Sequence, residues 1–294
     1  MRSLKTCVMG ASGFLGTYLS AWGLKNGHVI LGTSHANSEP SLTPLDISNS
    51  EAVTRLIATF KPELVFLPAA IPNVDLCETD PVSTGKVNID GARIVAGACK
   101  NTNCRLVYFS SDYVFDGEHG PYIESDMVNP ICEYGRQKLQ AETYVQEILP
   151  NNHLILRTTV VFGWEKRGKN FVERLLVNLR GGKCVKVPRD QIGNPTYVED
   201  LADAAWNMAL GGNQGIFHIA GSTLTSRAEF ARKVAEKFGL PTELVQPVDT
   251  VELKQKAPRP LNAGMKCGKA EIALGRRMCS LTESLDRLSK AEVI

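Results

Sequence analysis

Short apolar runs and amphipathic stretches alternate along the first half of the chain. Residues 4–9, 29–33, 64–67, 106–110 and 154–158 are mostly apolar runs of four to six residues, the length and character of strands buried on both faces. Between them, residues 14–26, 49–60, 81–100 and 134–149 carry apolar positions at helical spacing. Such alternation predicts a parallel sheet covered by helices on both sides. Gly27 closes the first helix as a carboxyl-terminal glycine, and Ser48 with Glu51 three residues on reads as a capping box opening the second.

After residue 158 the rhythm changes. A loop with Gly163 and Gly168 leads to a helix at 171–179, a short strand at 184–187 and the polar stretch 189–196. A helix at 198–209 and an apolar run at 216–220 return to the sheet, whereas 226–238, opening on another capping box, reads as an outer helix and 281–288 as the last. The predicted architecture is α/β: a Rossmann-like doubly wound sheet over 1–162, with 197–220 returning to it. A small carboxyl-terminal substrate-binding lobe is built from 163–196 and 221–294.

Composition narrows the function. With 43% hydrophobic and 22% charged residues the chain is an ordinary globular sequence, and no apolar run approaches the ~20 residues of a membrane span. A net charge of +2, with basic residues scattered among acids, gives no field for nucleic acid. The first five residues pass directly into a strand, leaving no room for a signal segment, so a cytoplasmic location is expected. Eight cysteines contain no C-x-x-C pair and read as reduced, mostly buried thiols, with no metal site.

Two motifs carry chemistry. Gly10-Ala11-Ser12-Gly13-Phe14-Leu15-Gly16 follows the first strand and opens the first helix, the setting in which a dinucleotide pyrophosphate meets a tight turn and a helix amino terminus. At the end of the second strand, where an acid would bind the ribose 2′-hydroxyl, stand Thr33-Ser34-His35. This favours NADPH over NADH, with Ser34 and His35 as donors to a 2′-phosphate but no arginine to make the pair strong. Asp46, beside Ile47, reads either as a cap for the adenine amino group or as a strand-end turn residue. The second motif is Tyr134-Gly135-Arg136-Gln137-Lys138, whose tyrosine and lysine stand one turn apart on one helix face. An ammonium beside the phenol is expected to favour its ionised form. Ser110-Ser111-Asp112 ends the fourth long strand and puts hydroxyls at the carboxyl edge of the sheet, with Ser111 the first choice to orient a substrate carbonyl and Ser110 the second.

Gly10–Gly16, Ala69-Ala70, Asn88, 110–117, 134–138 and Arg157-Thr158 together resemble the extended short-chain dehydrogenase/reductases over nearly the whole chain. With 190–196 and Arg259-Pro260 the resemblance is greatest to the dTDP-4-dehydrorhamnose reductases, and the same motifs are similar to a non-catalytic relative, the regulatory beta subunit of methionine adenosyltransferase. The first resemblance implies that Tyr134 protonates the sugar O4 as the nicotinamide delivers hydride to C4, that Lys138 holds the nicotinamide ribose and lowers the tyrosine pKa, and that Ser111 bonds the carbonyl. It implies Asn88, Ala69 and Ala70 near the cofactor. Asp112, Val114, Gln191, Asn194 and Arg259 would face a nucleotide-sugar substrate, with Arg259 clamping the diphosphate. A dehydratase is disfavoured because Asp112 is followed by Tyr113, not glutamate; an epimerase or a partner-binding regulatory subunit is the alternative. The helices at 81–100 and 134–149 would pair in a homodimer as in relatives.

Overall fold

A computed structural model describes residues 2–35, 40–166 and 168–291. The strands are β1 (Lys5–Met9), β2 (Val29–Ser34), β3 (Thr43–Pro44), β4 (Leu64–Leu67), β5 (Arg105–Ser111), β6 (His153–Thr158), β7 (Val161–Phe162), β8 (Val185–Pro188), β9 (Ile192–Gly193), β10 (Thr196–Tyr197), β11 (Gly215–His218), β12 (Thr225–Ser226) and β13 (Val245–Val248). Helices are α1 (Phe14–Lys25), α2 (Ser50–Phe60), α3 (Val74–Thr79), α4 (Pro81–Gly85), α5 (Ala92–Asn101), α6 (Glu133–Ile148), α7 (Phe171–Arg180), α8 (Val198–Leu210), α9 (Arg227–Lys237), α10 (Gly268–Leu274) and α11 (Leu281–Lys290).

Seven strands form one sheet in the order β11-β6-β5-β4-β1-β2-β3, every neighbouring pair parallel. The strand order reverses between β1 and β4, which opens a crevice at their carboxyl ends. One apolar cluster, including Leu19, Phe66, Phe109 and Trp206, fills the face under α1 and α8. Another, including Val53, Val95, Tyr108 and Val145, fills the face under α2, α5 and α6. Burial on both sides explains why each long strand reads as continuous apolar sequence. A third cluster draws on α7, α9 and α11 with Phe162, Tyr197 and Val245. Around it lie three two-stranded pairs, β7 with β10, β8 with β13 and β9 with β12.

Three local expectations need correction. Asn49, not Ser48, caps α2 by accepting from the Ala52 N–H at 3.0 Å, because Ser48 is drawn into a turn by Asp46, which accepts from its N–H and hydroxyl at 2.9 and 2.7 Å. Residues 81–100 are not one regular helix: α4 passes through a π-helical stretch, Lys86–Gly91, before α5. At α9, Ser226 caps the Glu229 N–H at 3.1 Å, and no return bond from the glutamate completes a box.

Helix α1 is fastened to α8 by ring stacking. Trp22 and Trp206 lie 5.0 Å apart at 17°, and His28 stacks on Trp206 at 4.7 Å. The Trp206 indole N–H donates to the Leu19 carbonyl at 2.9 Å.

Candidate active site

The glycine turn is shaped for close approach. Gly10 has φ +97°, and a Cβ there would come within 2.9 Å of the Ala69 backbone. A Cβ on Gly16 would fall on the Gly10 carbonyl oxygen. Gly13 precedes α1 with no side-chain cap, so the first-turn N–H groups face outward with the positive end of the helix dipole. These residues fit a dinucleotide pyrophosphate: the cradle is one that side chains would fill, and its donors are backbone.

At the ribose end, the Ser12 and Ser34 hydroxyls are bonded to each other at 2.9 Å. His35 is exposed, and its Nε2 lies 3.8 Å from Asp46 Oδ2. Asp46 is therefore a turn residue through Oδ1, while Oδ2 brings an acid close to the end of β2. Eleven residues of sequence separation hid that proximity. Ile47 packs beneath, against Gly91.

Asn88 lies in the π-helical stretch and does not serve its own helix. Its carboxamide oxygen accepts from the Ile71 N–H at 2.8 Å, while its nitrogen donates to the Ile71 carbonyl at 3.1 Å and to Gln137 Oε1 at 2.8 Å. It latches the segment after β4, which carries Ala69 and Ala70, to α6.

On α6, Tyr134 and Lys138 are both buried. The Tyr134 ring sits among Cys77, Cys132 and Ala257 and meets Tyr113 edge-on at 5.6 Å. Burial raises the phenol pKa well above its ordinary value; Asp112 adds to the rise, and the facing Ser111 hydroxyl opposes it. The Lys138 ammonium donates to the Phe109 carbonyl at 2.9 Å and lies 6.0 Å from the centre of the Tyr134 ring. Burial pushes Lys138 down to about 8, with Glu142 acting against it. The expectation that this lysine favours tyrosinate is thus corrected for the geometry in hand: desolvation of the phenol dominates, and one donor of the ammonium goes to a backbone carbonyl. At neutral pH Tyr134 is a loaded acid.

Glu142, the next residue on the same helix face, receives both Nε and Nη2 of Arg157 on β6, at 2.9 and 2.7 Å. The pair is 1% and 3% exposed. Ser110 stands in register beside Arg157 with its hydroxyl buried and without a partner among the described residues. Ser111 donates to Asp112 Oδ1 at 2.8 Å, and Thr159 donates to Oδ2 at 2.6 Å. Asp112 is buried, and desolvation raises its pKa.

Next to Tyr113 and Asp112 opens a cleft walled by Thr159, Gln191, Pro195, Arg227 and Pro260 among others. Gln191 reaches it, donating to Thr250 Oγ1 at 3.1 Å. Three expected substrate contacts are placed otherwise. Val114 is wholly buried beside Phe115 and Tyr122. Asn194 is consumed in bonds to the Gly221 carbonyl and the Met265 N–H, at 2.9 and 2.8 Å. Arg259 donates to Asp75 at 3.0 Å and to the Ala257 carbonyl at 2.9 Å, which pins the carboxyl-terminal segment to α3. The residue that sequence reasoning missed is Arg227, whose guanidinium lies over the Phe171 ring at 5.3 Å. A lone arginine on an amphipathic helix carries no signal until four segments close around it.

The comparisons with known proteins agree with this fold. The family model described as RmlD substrate binding domain matches residues 4–293. The chain belongs to this family. Its RmlD-type relatives include dTDP-4-dehydrorhamnose reductase of Aggregatibacter actinomycetemcomitans, 32% identical over 91% of this chain and 92% of that protein. Methionine adenosyltransferase 2 subunit beta of Xenopus tropicalis is 30% identical over 93% and 84%. Among solved structures, the Bacillus anthracis dTDP-4-dehydrorhamnose reductase in complex with NADP superposes with a TM-score of 0.90 at 29% identity, covering 98% of this chain and 99% of that one. Both readings of the RmlD resemblance, reductase and beta subunit, thus have relatives of similar distance.

Proposed function

We propose that the protein is an NADPH-preferring, short-chain-type reductase of a nucleotide-linked 4-keto-6-deoxy sugar. The single observation that carries this is the buried phenol of Tyr134 facing Ser111 at the carboxyl edge of β5, where a reduction needs a proton donor. It favours the reductase over the beta-subunit reading, for which no acid is required.

The division of labour follows from the chain's own groups. Gly10, Ser12, Gly13, Phe14, Leu15 and Gly16 hold the pyrophosphate, with Ser34, His35, Asp46 and Ile47 around the adenosine end and Ala69, Ala70 and Asn88 lining the segment after β4. Bound there, NADPH supplies the hydride. Tyr134 gives its proton to the developing alkoxide at O4. Ser111, aimed by its bond to Asp112, steadies the phenol and the carbonyl, and Lys138 secures the tyrosine's surroundings by its ammonium. Residues 163–196 and 221–294 form the substrate lobe. A cytoplasmic homodimer accords with the family reading, although the outer faces of α5 and α6 are polar, with Arg93, Arg136, Gln140 and Thr143 exposed.

Mixing protein, NADPH and a panel of nucleotide 4-keto sugars tests the proposal: absorbance at the reduced nicotinamide band is expected to fall with one of them. A protein that binds NADPH and consumes none returns the reading to the beta-subunit class.

Cofactor choice is expected to be a preference, not an exclusion. Ser34 and His35 favour the 2′-phosphate, while Asp46 beside His35 tempers them. Dissociation constants should differ by a few-fold in favour of NADPH, on the order of a single hydrogen bond. Equal constants, or a preference that survives Ser34→Ala with His35→Ala, would refute this.

Activity should also decline on the alkaline side of about pH 8, where Lys138 loses its proton. The stability sign is opposite. Between about 8 and the ordinary lysine value the unfolded chain holds the proton that the folded chain has released, so this group's contribution to stability rises with pH. A kcat profile and melting curves over pH 7–10 read both.

A further inference from the structure

The cleft beside Asp112 and Tyr113 contains a cation without a counterion. Arg227 opens α9 and lines the cleft with Thr225 and Ser226, yet its guanidinium has no hydrogen-bond or ion-pair partner among the described residues. Its position is built, not incidental. The guanidinium rests on the face of Phe171 from α7, and Phe171 in turn packs on the fully buried Phe230 at 5.6 Å. Tyr113 and Asp112 act to hold the guanidinium's charge, whereas Arg174 and Arg259 act against it. Arg174 is exposed and likewise has no acidic partner among the described residues. Arg259 is spoken for by Asp75.

Desolvation depresses Arg227 and is only partly offset by Asp112, both of whose oxygens are already taken by hydroxyls. A half-buried guanidinium costs free energy unless an anion meets it. Its five donors in a planar fork match two phosphoryl oxygens better than any neutral sugar hydroxyl.

Resting on the nucleotide-sugar reading above, we propose that Arg227, with Arg174 as an outer charge, is the residue that binds the diphosphate of the substrate. Arg259 holds the wall of the cleft in place. The sugar then extends from Arg227 past Asp112 and Tyr113 toward Tyr134, so recognition of the phosphate sets the distance of the reacting carbon from the phenol.

The test is calorimetric titration of the protein saturated with NADP with thymidine diphosphate, inorganic pyrophosphate and thymidine. Arg227→Met keeps a long apolar stem on Phe171 but removes the charge. It is expected to weaken both phosphate ligands about 10- to 100-fold, the worth of a charge-assisted bidentate pair, and to leave thymidine and NADP binding as in the parent. Arg227→Lys should fall between, since it keeps charge without the fork. Affinity for thymidine diphosphate and pyrophosphate unchanged in Arg227→Met, or absent in the parent protein, overturns the assignment. Loss of thymidine and NADP binding together with a lowered melting temperature would mean that Arg227 only supports α9, and that too overturns it. The functional reading fails separately: it falls if the parent binds thymidine diphosphate but turns over no nucleotide 4-keto sugar.

Discussion

Replacing Tyr134 by phenylalanine is expected to lower turnover about 100-fold or more while leaving NADPH affinity close to that of the parent, because loss of a general acid costs roughly that much. The ring remains, and with it the edge contact to Tyr113 and the burial among Cys77, Cys132 and Ala257. Only the hydroxyl facing Ser111 is removed. The protein should therefore melt where the parent does. Single-turnover absorbance decay with NADPH and the substrate identified by the panel, beside a fluorescence titration of the cofactor, separates the two quantities. Near-parental turnover would take the proton donor away from Tyr134 and with it the chemistry assigned to this edge of the sheet.

The second large effect is on stability. Glu142→Leu leaves Arg157 charged, 3% exposed and without an anion. Its Nη1 already lacks a partner among the described residues. Nearby His218, held neutral with a pKa of about 3 by burial and by Arg157 itself, supplies no negative charge in place of the lost carboxylate. Breaking one side of such a pair costs about 3–5 kcal/mol, which for a chain of this size lowers the melting temperature by roughly 5–8 °C. Glu142→Leu with Arg157→Met should recover most of the loss, since a well-packed apolar pair replaces a buried ionic one at little cost. A single variant that melts like the parent would show the pair to be idle.

How much of this was legible beforehand depended on the range of the interactions. The five long strands and the helices around them follow from runs and periodicities that burial on two faces imposes, and most ends were met within two residues. The glycine turn, Ser111, Tyr134 and Lys138 were legible because each sits at a fixed offset from a strand or helix end. What escaped was tertiary. The π-helical stretch arises where Asn88 bonds Ile71 and Gln137, partners 17 and 49 positions away. Arg259 finds Asp75 across 184 positions, and no local pattern announces that. The pKa of Tyr134 ran opposite to expectation because a sequence shows the lysine four residues on but not the apolar cage that desolvates the phenol. Strands of two residues, such as β7 and β10, are too short to carry any alternation at all.

The stacked Trp22, His28 and Trp206 bear on how the two ligands can be brought together. Helix α8 starts three residues after Pro195 in the wall of the cleft, runs for about 20 Å at 1.5 Å per residue, and is bolted by Trp206 to α1, whose first turn is the cradle proposed for the pyrophosphate. The same rod therefore joins the floor of one binding surface to the anchor of the other. A hinge between them would have to shear three stacked rings, so the spacing from cofactor to substrate is set by the scaffold before either arrives. Closure, where it occurs, falls to the parts not tied to that rod: the cleft's outer wall on α7 and α9, and the segment that carries Gln255 and Arg259.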